Sequence, residues 1–382
     1  MATSTFSLCF LYLSFIFVSV HSSSPYLLSP STFSHNYNKM LTSFKIFIYT
    51  PTQPINYSSS SASIFYNFLL NSKFLTREPE EAHLFFVPFA PETSTRSIAR
   101  LVRELRTKYP YWNRTLGADH FFISPEGIDF SSDRNALELK KNSVQISVFP
   151  TISGNFIPHK DISLPPVTPS SLPLSHAPVN RASTTSGDFI PHKDISLTPA
   201  NAKSSLALSH APVKTAPTIL GYLKWDGKTE LDLVNELKLD SEFIVESEPS
   251  DHIVRRVDTS KFCLFFYHNA ADVAAYMTEA MASGCVPVMI VDRPVQDFPL
   301  TDVLRWSEMA LLIGNSRGAQ GLKAVLGGVT EDRYERMREL CVAAAHHMVW
   351  NAEPQPFDAF HMVIYQLWMR RHTIRYTRRE DF

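Results

Sequence analysis

The segment FKIFIY, Phe44–Tyr49, decides the fold class, because it is short, apolar and rich in β-forming residues and so predicts a buried strand. A stretch with helical spacing follows it, SIFYNFLLNSKF at Ser63–Phe74, and HLFFVPF at His83–Phe89 then predicts a second strand. Ser94–Tyr109 predicts a second helix, with Ser94 as its N-cap. Strands that alternate with helices indicate an α/β fold in which a parallel sheet carries helices on its faces.

The alternation runs on to residue 149 and resumes near residue 218. Further strands are predicted at 119–124, 143–149, 218–223, 242–246, 261–267, 285–291 and 305–313. Further helices are predicted at 228–238, 272–284, 332–348 and 358–371, with Gly284 closing the second of them. The sequence therefore predicts two α/β halves joined by a connector.

The connector contains a duplication. Residues 150–217 are rich in Pro, Ser, Thr and Ala and show no long period, and FIPHKDISL occurs at Phe156–Leu164 and again at Phe189–Leu197. Two copies of a Pro-rich stretch cannot build a solenoid, which needs at least three repeats. The first copy directly follows the strand pattern and is interpreted as the native piece. The second copy is interpreted as an inserted duplicate that forms a long loop.

Length and charge narrow the class of protein. A chain of 382 residues favours two domains over one, and 44% apolar with 19% charged residues describes a globular protein. The net charge of −1 gives no basic excess, so no nucleic-acid partner is expected. The basic cluster at Arg370–Glu380 is interpreted as the solvated end of a helix.

The N-terminal segment directs the chain into the secretory route. FSLCFLYLSFIFVSV, Phe6–Val20, carries no charge, but it is shorter than the roughly 20 residues of a membrane span. It is typical of a signal peptide core, with a short signal anchor as the alternative. Asn56 and Asn113 begin N-glycosylation triplets, as expected of a lumenal protein.

Three cysteines lie beyond the N-terminal segment, Cys263, Cys285 and Cys341. A Cys263–Cys285 disulfide between neighbouring strands is compatible with an oxidising lumen, and burial of all three as thiols is equally compatible with the sequence.

Several separated motifs resemble the exostosin-like glycosyltransferases of plants. In the first half they are FKIFIY (Phe44–Tyr49), EPEEAHLFFVPF (Glu78–Phe89), YWNRTLGADHFF (Tyr111–Phe122) and FIPHKDISLP (Phe156–Pro165). In the second half they are SKFCL (Ser260–Leu264), EAMASGCVPVMIVD (Glu279–Asp292), DVLRWSE (Asp302–Glu308) and PFDAFHMVIYQLW (Pro356–Trp368). They stand in the order of the family and cover nearly all of the chain beyond its N-terminal segment.

The resemblance implies a GT-B-like fold, in which two Rossmann-like domains place parallel sheets across a cleft. It implies an inverting transferase that moves a sugar from a nucleotide sugar, with a UDP-sugar as the expected donor, to a cell-wall polysaccharide or glycan. The N-terminal segment would hold the chain in the Golgi membrane with its catalytic part in the lumen, and secretion after cleavage is the alternative. The expected parts are a signal peptide or anchor (1–24), an acceptor-side domain (44–166), a connector (167–216), a nucleotide-sugar domain (217–350) and a closing helix with a basic tail (351–382).

Donor contacts are expected beyond the carboxyl ends of the strands in the second half, where parallel α/β sheets bind ligands. His268 and Asn269 occupy the turn after the predicted strand 261–267. Glu279 matches a position at which the family carries an acidic residue, expected to hold ribose hydroxyls. Lys224 and Lys228 are expected to supply positive charge to the diphosphate.

Acceptor chemistry needs a base that takes a proton from the attacking hydroxyl. Four candidates stand at the two ends of the predicted strand 119–124: Asp119, His120, Glu126 and Asp129. His159, Lys160 and Asp161, between the halves, are expected to line the cleft rather than to perform chemistry. No Asp-x-Asp pair or other metal-ligand spacing stands out, so no cofactor or divalent metal is expected beside the UDP-sugar co-substrate.

Four motifs depart from the family. Its usual His-Asp-Trp is Pro125-Glu126-Gly127 here, its Gly-Lys-Val-Arg is Gly227–Glu230, and its Pro-Arg-Gly and Ser-x-Arg are Phe266–His268 and Ala274–Tyr276. Two lost guanidinium contacts, at about 1.5–3 kcal/mol per charged hydrogen bond, predict weakened donor binding. A second hypothesis is therefore a catalytically impaired member that binds active Golgi transferases and assists their assembly.

Overall fold

The computed structural model describes residues 26–51, 53–151, 155–167, 217–225, 232–246, 253–267 and 276–371. Within these ranges the chain forms two five-stranded sheets, one in each half, and every neighbouring pair of strands is parallel. This arrangement confirms the predicted α/β class.

The first sheet is built from the apolar runs of the first half. Its strands, in spatial order, are β1 (Ile46–Ile48), β2 (Leu84–Phe86), β3 (His120–Ile123), β4 (Val144–Val148) and β5 (Ile162–Leu164). The helices of this half are α1 (Pro30–Ser43), α2 (Ser60–Leu70), α3 (Thr95–Lys108), α4 (Tyr111–Thr115) and α5 (Arg134–Asn142), with a 3-10 turn at Pro79–Glu81.

The order in which strands are added to the first sheet reverses at β1. Leu75, beyond α2, forms a parallel bridge with Ile46, and the backbone N–H of Ile46 donates to Phe74 O over 2.7 Å. The chain therefore passes along the outer side of β1 before it crosses to β2 on the inner side. Such a reversal is a topological switch point, beside which open α/β sheets bind ligands at the carboxyl ends of their strands.

In the second sheet, too, strands are added first on one side of the initial strand and then on the other. Its strands, in spatial order, are β10 (Leu311–Gly314), β9 (Val286–Val291), β8 (Ser260–Phe266), β6 (Ile219–Lys224) and β7 (Phe243–Glu246). Its helices are α6 (Asp232–Leu239), α7 (Ile253–Thr259), α8 (Met277–Ala282), α9 (Trp306–Met309), α10 (Gly318–Gly327), α11 (Glu331–Ala345) and α12 (Ala359–Arg370), with 3-10 turns at Asn315–Arg317 and His346–Met348. The order of addition reverses between β6 and β8, which is the switch point of this sheet.

Alternation along the strands explains how helices cover both faces of the first sheet. Phe85 packs with Val102 of α3 and Trp112 of α4, whereas its neighbour Phe86 belongs to the other core. Successive side chains of a strand point to opposite faces, so the apolar run of β2 serves two cores at once. The core that contains Phe86 continues through the second half.

Both ends of the described chain cross to the opposite half. At the N-terminal end, Leu28 N donates to Val303 O over 2.9 Å. At the other end, the ring of Phe360 in α12 lies 5.8 Å from the ring of Phe65 in α2. Two parallel sheets tied by such a returning helix form the GT-B-like fold that the resemblance implied.

Several details differ from the sequence predictions. The predicted strand 305–313 is wrong at its start, because residues 306–309 form α9 and only the last part enters β10. The connector was predicted to lack regular structure from residue 150, but β5 lies within its first copy of the repeat. A three-residue strand is too short to show a period. The second copy and the N-terminal segment lie outside the described residues.

The cysteines and sequons have definite places. Cys263 and Cys285 form a disulfide with a Cα–Cα distance of 5.7 Å, and Cys341 is a buried thiol. Asn56 and Asn113 are both exposed, as glycosylation requires. In the described part of the chain, no helix is both long enough and apolar enough to cross a lipid bilayer.

Candidate active site

The carboxyl ends of the two sheets meet. Thr151, three residues beyond β4, donates its backbone N–H to the carboxylate of Asp297 over 2.5 Å, and Asp297 follows β9 in the second half. Close to this bond, the rings of Phe149 and Phe298 stack at 5.8 Å. The edges at which parallel sheets bind ligands are thus joined in one region, which is the candidate active site.

A cavity of 560 Å³ opens at the switch point of the first sheet. It lies beyond the carboxyl ends of β1 and β2 and against the first turns of α3. Its walls are formed by Gln53, Pro54, Ile55, Pro88, Phe89, Ala90, Glu92, Thr93, Ser94, Ser97, Arg100, Leu101 and Glu104.

The cavity combines an apolar wall with hydrogen-bonding groups. Ser94 caps α3 as predicted, since its hydroxyl accepts from the backbone N–H of Ser97 over 3.3 Å. Phe89 supplies the buried aromatic part of the wall, and Arg100 and Glu104 supply charged groups. Polar side chains on an apolar surface suit a polyhydroxylated ligand, whose rings have apolar faces and whose hydroxyls both donate and accept.

The loop after β3 carries two of the predicted bases. Glu126 and Asp129 are both exposed there, beyond the carboxyl end of the strand. Gly127 allows the turn between them, because its φ of +82° is unfavourable for other residues. Asn155 donates from its side-chain amide to Asp129 and so orients that carboxylate.

A buried lysine supports this loop. Lys140 of α5 is 0% exposed and donates to the side-chain oxygen of Gln145 over 3.0 Å and to the carbonyl oxygen of Asn155. The same oxygen of Gln145 accepts from Ile128 N over 3.1 Å. Burial lowers the pKa of Lys140 to about 8, opposed in part by the charges of nearby carboxylates.

The other two predicted bases, Asp119 and His120, lie at the opposite end of β3 and face inward. His120 is 0% exposed, with Nε2 2.9 Å from Tyr49 Oη and Nδ1 2.7 Å from the Asp119 carboxylate. Burial lowers the pKa of His120, although Asp119 opposes the shift. Of the four candidates, therefore, the structure brings only Glu126 and Asp129 to the carboxyl edge.

The environment of Asp119 is that of a buried ion pair. Its carboxylate accepts from Arg114 Nε over 3.0 Å and from Thr115 Oγ1 over 2.5 Å. Burial alone would raise the pKa of Asp119, but His120, Thr115 and Arg114 together hold it below its usual value.

Lys160 and Asp161, expected to line the cleft, are engaged in internal contacts. Asp161 is 1% exposed, pairs with Lys160 and accepts from the backbone N–H groups of Gln145 and Ile157 over 3.1 and 2.9 Å. Arg370 of α12 donates to the Asp161 carbonyl oxygen over 2.7 Å. The Arg370–Asp161 bond therefore connects α12 to the first sheet. His159, in contrast, is exposed.

Of the five residues predicted to contact the donor, two lie among the described residues. The backbone N–H of Lys224, at the end of β6, is 3.5 Å from the hydroxyl of Tyr276, which directly precedes α8. Glu279 lies in the first turn of α8 and is partly buried. The end of β6 and the start of α8 are therefore adjacent. His268, Asn269 and Lys228 lie outside the described residues.

Sequence reasoning missed the residues that join the two edges. Asp297 is 1% exposed and accepts from the Tyr267 hydroxyl over 2.5 Å, while Arg293 donates to Thr151 O over 3.3 Å. The predicted strands 261–267 and 285–291 end at or near Tyr267 and Arg293, so the sequence indicates that both residues lie at the carboxyl edge. The contacts between the two halves, however, could not be predicted from the sequence. Among the described residues, no group of three or more His, Cys, Asp or Glu could hold a metal ion.

Comparisons with known proteins identify the family of the chain. The model of the exostosin GT47 domain matches residues 40–328. The chain is 28% identical to the probable glycosyltransferase At3g07620 of Arabidopsis thaliana, over 91% of this chain and 73% of that protein. It is 23% identical to the probable beta-1,4-xylosyltransferase IRX10L of Arabidopsis thaliana, over 81% of this chain and 74% of that protein.

The chain is also similar to another plant sequence and to a solved structure. The probable glucuronosyltransferase Os02g0520750 of Oryza sativa subsp. japonica is 23% identical, over 81% of this chain and 71% of that protein. The crystal structure of Arabidopsis thaliana UGT89C1 complexed with UDP aligns with a TM-score of 0.31 and 11% identity, over 81% of this chain and 78% of that one. Since the domain model covers well over half of the sequence, the chain belongs to the exostosin GT47 family of plant glycosyltransferases.

Proposed function

We propose that this protein transfers a sugar from a UDP-sugar to a plant cell-wall polysaccharide in the Golgi lumen, with inversion at the anomeric carbon. The observation that carries the proposal is the meeting of the two carboxyl edges, where Thr151 bonds to Asp297. A donor held by one sheet and an acceptor held by the other would come together at this junction. Relatives described as probable glycosyltransferases support the class of reaction.

The acceptor binds in the cavity of the first half. That cavity is large enough for a sugar unit, and it lies at the switch point beside β1 and β2. Phe89 offers an apolar surface to a sugar ring, and Ser94, Ser97 and Arg100 offer hydrogen-bonding groups to its hydroxyls. The donor then occupies the edge of the second sheet, where Lys224 and Glu279 were expected to contact it.

The reaction requires one proton transfer and one displacement. A carboxylate takes the proton from the acceptor hydroxyl, the hydroxyl oxygen attacks the anomeric carbon, and the bond from that carbon to the diphosphate oxygen breaks as UDP leaves. Attack from the side opposite the diphosphate inverts the configuration. We assign the base to Asp129, because Asn155 orients its carboxylate at the carboxyl edge, and Glu126 is the alternative on the same loop.

The N-terminal segment supplies the location in this proposal. Its uncharged run at Phe6–Val20 would anchor the chain in the Golgi membrane, with the exposed sequons Asn56 and Asn113 in the lumen. Association with other Golgi transferases belongs to the alternative, in which the chain has lost catalysis. The departures at Gly227–Glu230 favour that alternative, because an acidic residue stands where the family places an arginine.

Nucleotide binding separates the two proposals. The full chain, purified in detergent, is titrated with UDP by calorimetry and then incubated with a panel of UDP-sugars and wall oligosaccharides for product analysis by mass spectrometry. If the protein is a transferase, its dissociation constant for UDP is below the millimolar range, and it lengthens one oligosaccharide by one sugar. Absence of UDP binding at several millimolar contradicts the catalytic proposal and supports an assembly partner.

A further inference from the structure

A buried lysine lies behind the loop that follows β3. Lys140 stands in the last turn of α5 and is 0% exposed. Its ammonium donates to the side-chain oxygen of Gln145 over 3.0 Å and to the carbonyl oxygen of Asn155. Lysine is almost never fully buried unless acceptors or opposite charges surround it, because burial penalises the charged form. The position of Lys140 therefore calls for a reason beyond the packing of α5.

Both acceptors of Lys140 lead to Asp129. The oxygen of Gln145 that accepts from Lys140 also accepts from the backbone N–H of Ile128 over 3.1 Å. Ile128 directly precedes Asp129 in the chain. Asn155, whose carbonyl oxygen accepts from Lys140, donates from its side-chain amide to the carboxylate of Asp129. One ammonium thus supports the backbone before Asp129 and the amide that orients its carboxylate.

Phe130, the residue after Asp129, makes a third contact with Lys140. The centre of its ring lies 5.8 Å from Lys140 Nζ, which is within the range of a cation–π contact. Lys140 therefore contacts or supports the residues on both sides of Asp129. Asp129 itself is exposed, so its carboxylate faces solvent while the ammonium behind it is buried.

We propose that Lys140 is a positioning residue of the sugar transfer, whose ammonium holds the loop after β3 so that the Asp129 carboxylate is directed at the acceptor hydroxyl. An ammonium suits this role because all of its N–H groups donate and its hydrogen bonds to oxygen are charge-assisted. Lys140 touches no substrate and acts through Gln145, Asn155 and the loop. The inference rests on the proposed function, since it assumes that Asp129 is the base of a sugar transfer.

The charge of Lys140 depends on its surroundings. Burial is the main reason why the pKa of Lys140 falls to about 8. The carboxylates of Asp161 and Asp129 oppose this shift, and the charge of Lys160 adds to it. The ammonium is therefore present at neutral pH and is lost as the pH rises through about 8. If the ammonium positions the base, kcat falls over the same range.

A double-mutant cycle tests whether Lys140 acts through Asp129. Lys140→Met, Asp129→Asn and the double variant are compared with the original chain for kcat, for the KM of the oligosaccharide acceptor and for UDP affinity. Misplacement of a base predicts that Lys140→Met lowers kcat by about 10- to 100-fold and leaves the other two constants within about twofold. In the Asp129→Asn background, the same change should not lower kcat further, because a positioning residue acts only through the group that it positions.

Two further variants and a pH profile complete the test. Lys141→Met is the matched control, because Lys141 is the next residue of α5 and is exposed, and all three constants should stay unaltered. Lys140→Gln retains an N–H donor and replaces Lys140→Met if that variant does not fold, as judged by thermal unfolding. The kcat of the original chain should fall above about pH 8, and this fall should disappear in Lys140→Gln, which has no titrating group there.

Failure of this inference can be told apart from failure of the proposed function. If the original chain transfers no sugar to any acceptor of the panel, the proposed function is wrong and the role of Lys140 is wrong with it. If the chain is active and Lys140→Met keeps the original kcat, the function stands and the assignment of Lys140 is wrong.

Three other results would also overturn the assignment of Lys140. Equal losses of kcat in the original and the Asp129→Asn backgrounds would show that Lys140 does not act through the carboxylate. A parallel loss of UDP affinity in Lys140→Met would show a structural role in the whole protein. A kcat of the original chain that stays constant as the pH rises through about 8 would show that the ammonium is not needed.

Discussion

The backbone N–H of Thr151 and the carboxylate of Asp297 form a 2.5 Å hydrogen bond that joins the first sheet to the second. Asp297 is 1% exposed, and its second oxygen accepts from the hydroxyl of Tyr267 over 2.5 Å. A buried carboxylate is tolerated when donors satisfy both of its oxygens. This residue therefore helps to fix the geometry in which the two carboxyl edges meet.

Replacing Asp297 by Ala is expected to destabilise the protein. The change removes two hydrogen bonds to a charged group and leaves both donors buried, at a cost of about 3 kcal/mol in the free energy of unfolding. Chemical denaturation measures this difference. Tyr267→Phe removes one of the two bonds and should cost about 1–2 kcal/mol. An Asp297→Ala protein as stable as the original would show that the junction contributes nothing to stability.

The disulfide between Cys263 and Cys285 is expected to stabilise the second half. The two residues are 22 apart in sequence. Closing a loop of that size lowers the conformational entropy of the unfolded chain and so raises the free energy of unfolding by about 3 kcal/mol. Reduction should therefore lower the midpoint of thermal unfolding, measured with and without dithiothreitol. The double variant Cys263→Ser/Cys285→Ser should unfold at the lower midpoint in both conditions. A reductant effect that persists in this variant would assign the stabilisation elsewhere.

Acid should weaken the protein partly through His347. This residue is 1% exposed, its Nδ1–H donates to Phe357 O over 2.8 Å, and its Nε2 accepts from the Tyr26 hydroxyl over 3.2 Å. Burial lowers the pKa of His347 to about 4. Between this value and the unfolded pKa of about 6.5, the unfolded chain binds more protons, so stability is lost as the pH falls.

The expected loss from His347 is about 2–3 kcal/mol between pH 7.5 and pH 4.5. His347→Gln removes the titrating group and is measured beside the original protein by urea unfolding at both pH values. The destabilisation that the variant causes at pH 7.5 should shrink or disappear at pH 4.5. An equal difference between the two proteins at both pH values would contradict the assignment. Subtracting the variant removes the contribution of His120, another buried histidine, which is common to both proteins.

The strands were predictable because burial on both faces produces apolar runs. FKIFIY, HLFFVPF and CVPVMIV each enter a strand of a parallel sheet, whose two faces are covered by helices. The segment Arg305–Ile313 was misread, because a one-turn helix followed directly by a strand resembles a single apolar run. Ile162–Leu164 was missed since its three residues show no alternation.

The candidate site was predictable only in part. Strand ends indicate the carboxyl edge, which is why Glu126 and Asp129 could be placed there from the sequence. The direction in which a side chain points is a tertiary property, so His120 was a candidate base although Tyr49 and Asp119 enclose it. Asp297 shows the converse, because its partners lie 30 and 146 residues away along the chain.

Filling the cavity of the first half should impair acceptor binding alone. Ser97 lines this cavity from the exposed side of α3, so Ser97→Trp places an indole in the space for the acceptor. The KM for the oligosaccharide acceptor is expected to rise by about tenfold or more, because the blocked contacts are made by the bound acceptor. The affinity for UDP should stay unchanged. Initial-rate kinetics and calorimetry give the two values.

Arg103→Trp is the matched control for this change. Arg103 is exposed on the same helix but does not line the cavity, so the added indole should leave both constants unaltered. If Ser97→Trp weakens UDP binding and leaves the KM of the acceptor as it was, the cavity serves the donor and the assignment of the two halves is reversed.

Removing the carboxylate of Asp129 should abolish most of the turnover without weakening donor binding. Asp129→Asn retains the shape of the side chain and its hydrogen bond to Asn155, but it cannot take the proton of the acceptor hydroxyl. General base catalysis contributes about 10²–10⁴-fold, so kcat should fall by that factor while the affinity for UDP persists. Glu126→Gln, on the same exposed loop, should lower kcat by less than about tenfold if it only neighbours the reacting hydroxyl.

The supporting residues make the assignment of Asp129 more stringent. Asn155→Ala removes the amide that orients the carboxylate but leaves the carboxylate itself, so its kcat should lie between those of the original protein and Asp129→Asn. A base that depends on orientation shows this graded loss, and a carboxylate that merely lies on the surface does not. If Glu126→Gln suffers the large loss and Asp129→Asn does not, the base is Glu126. Full activity in both variants would exclude the loop after β3 from the chemistry, since no other residue on it was assigned proton transfer.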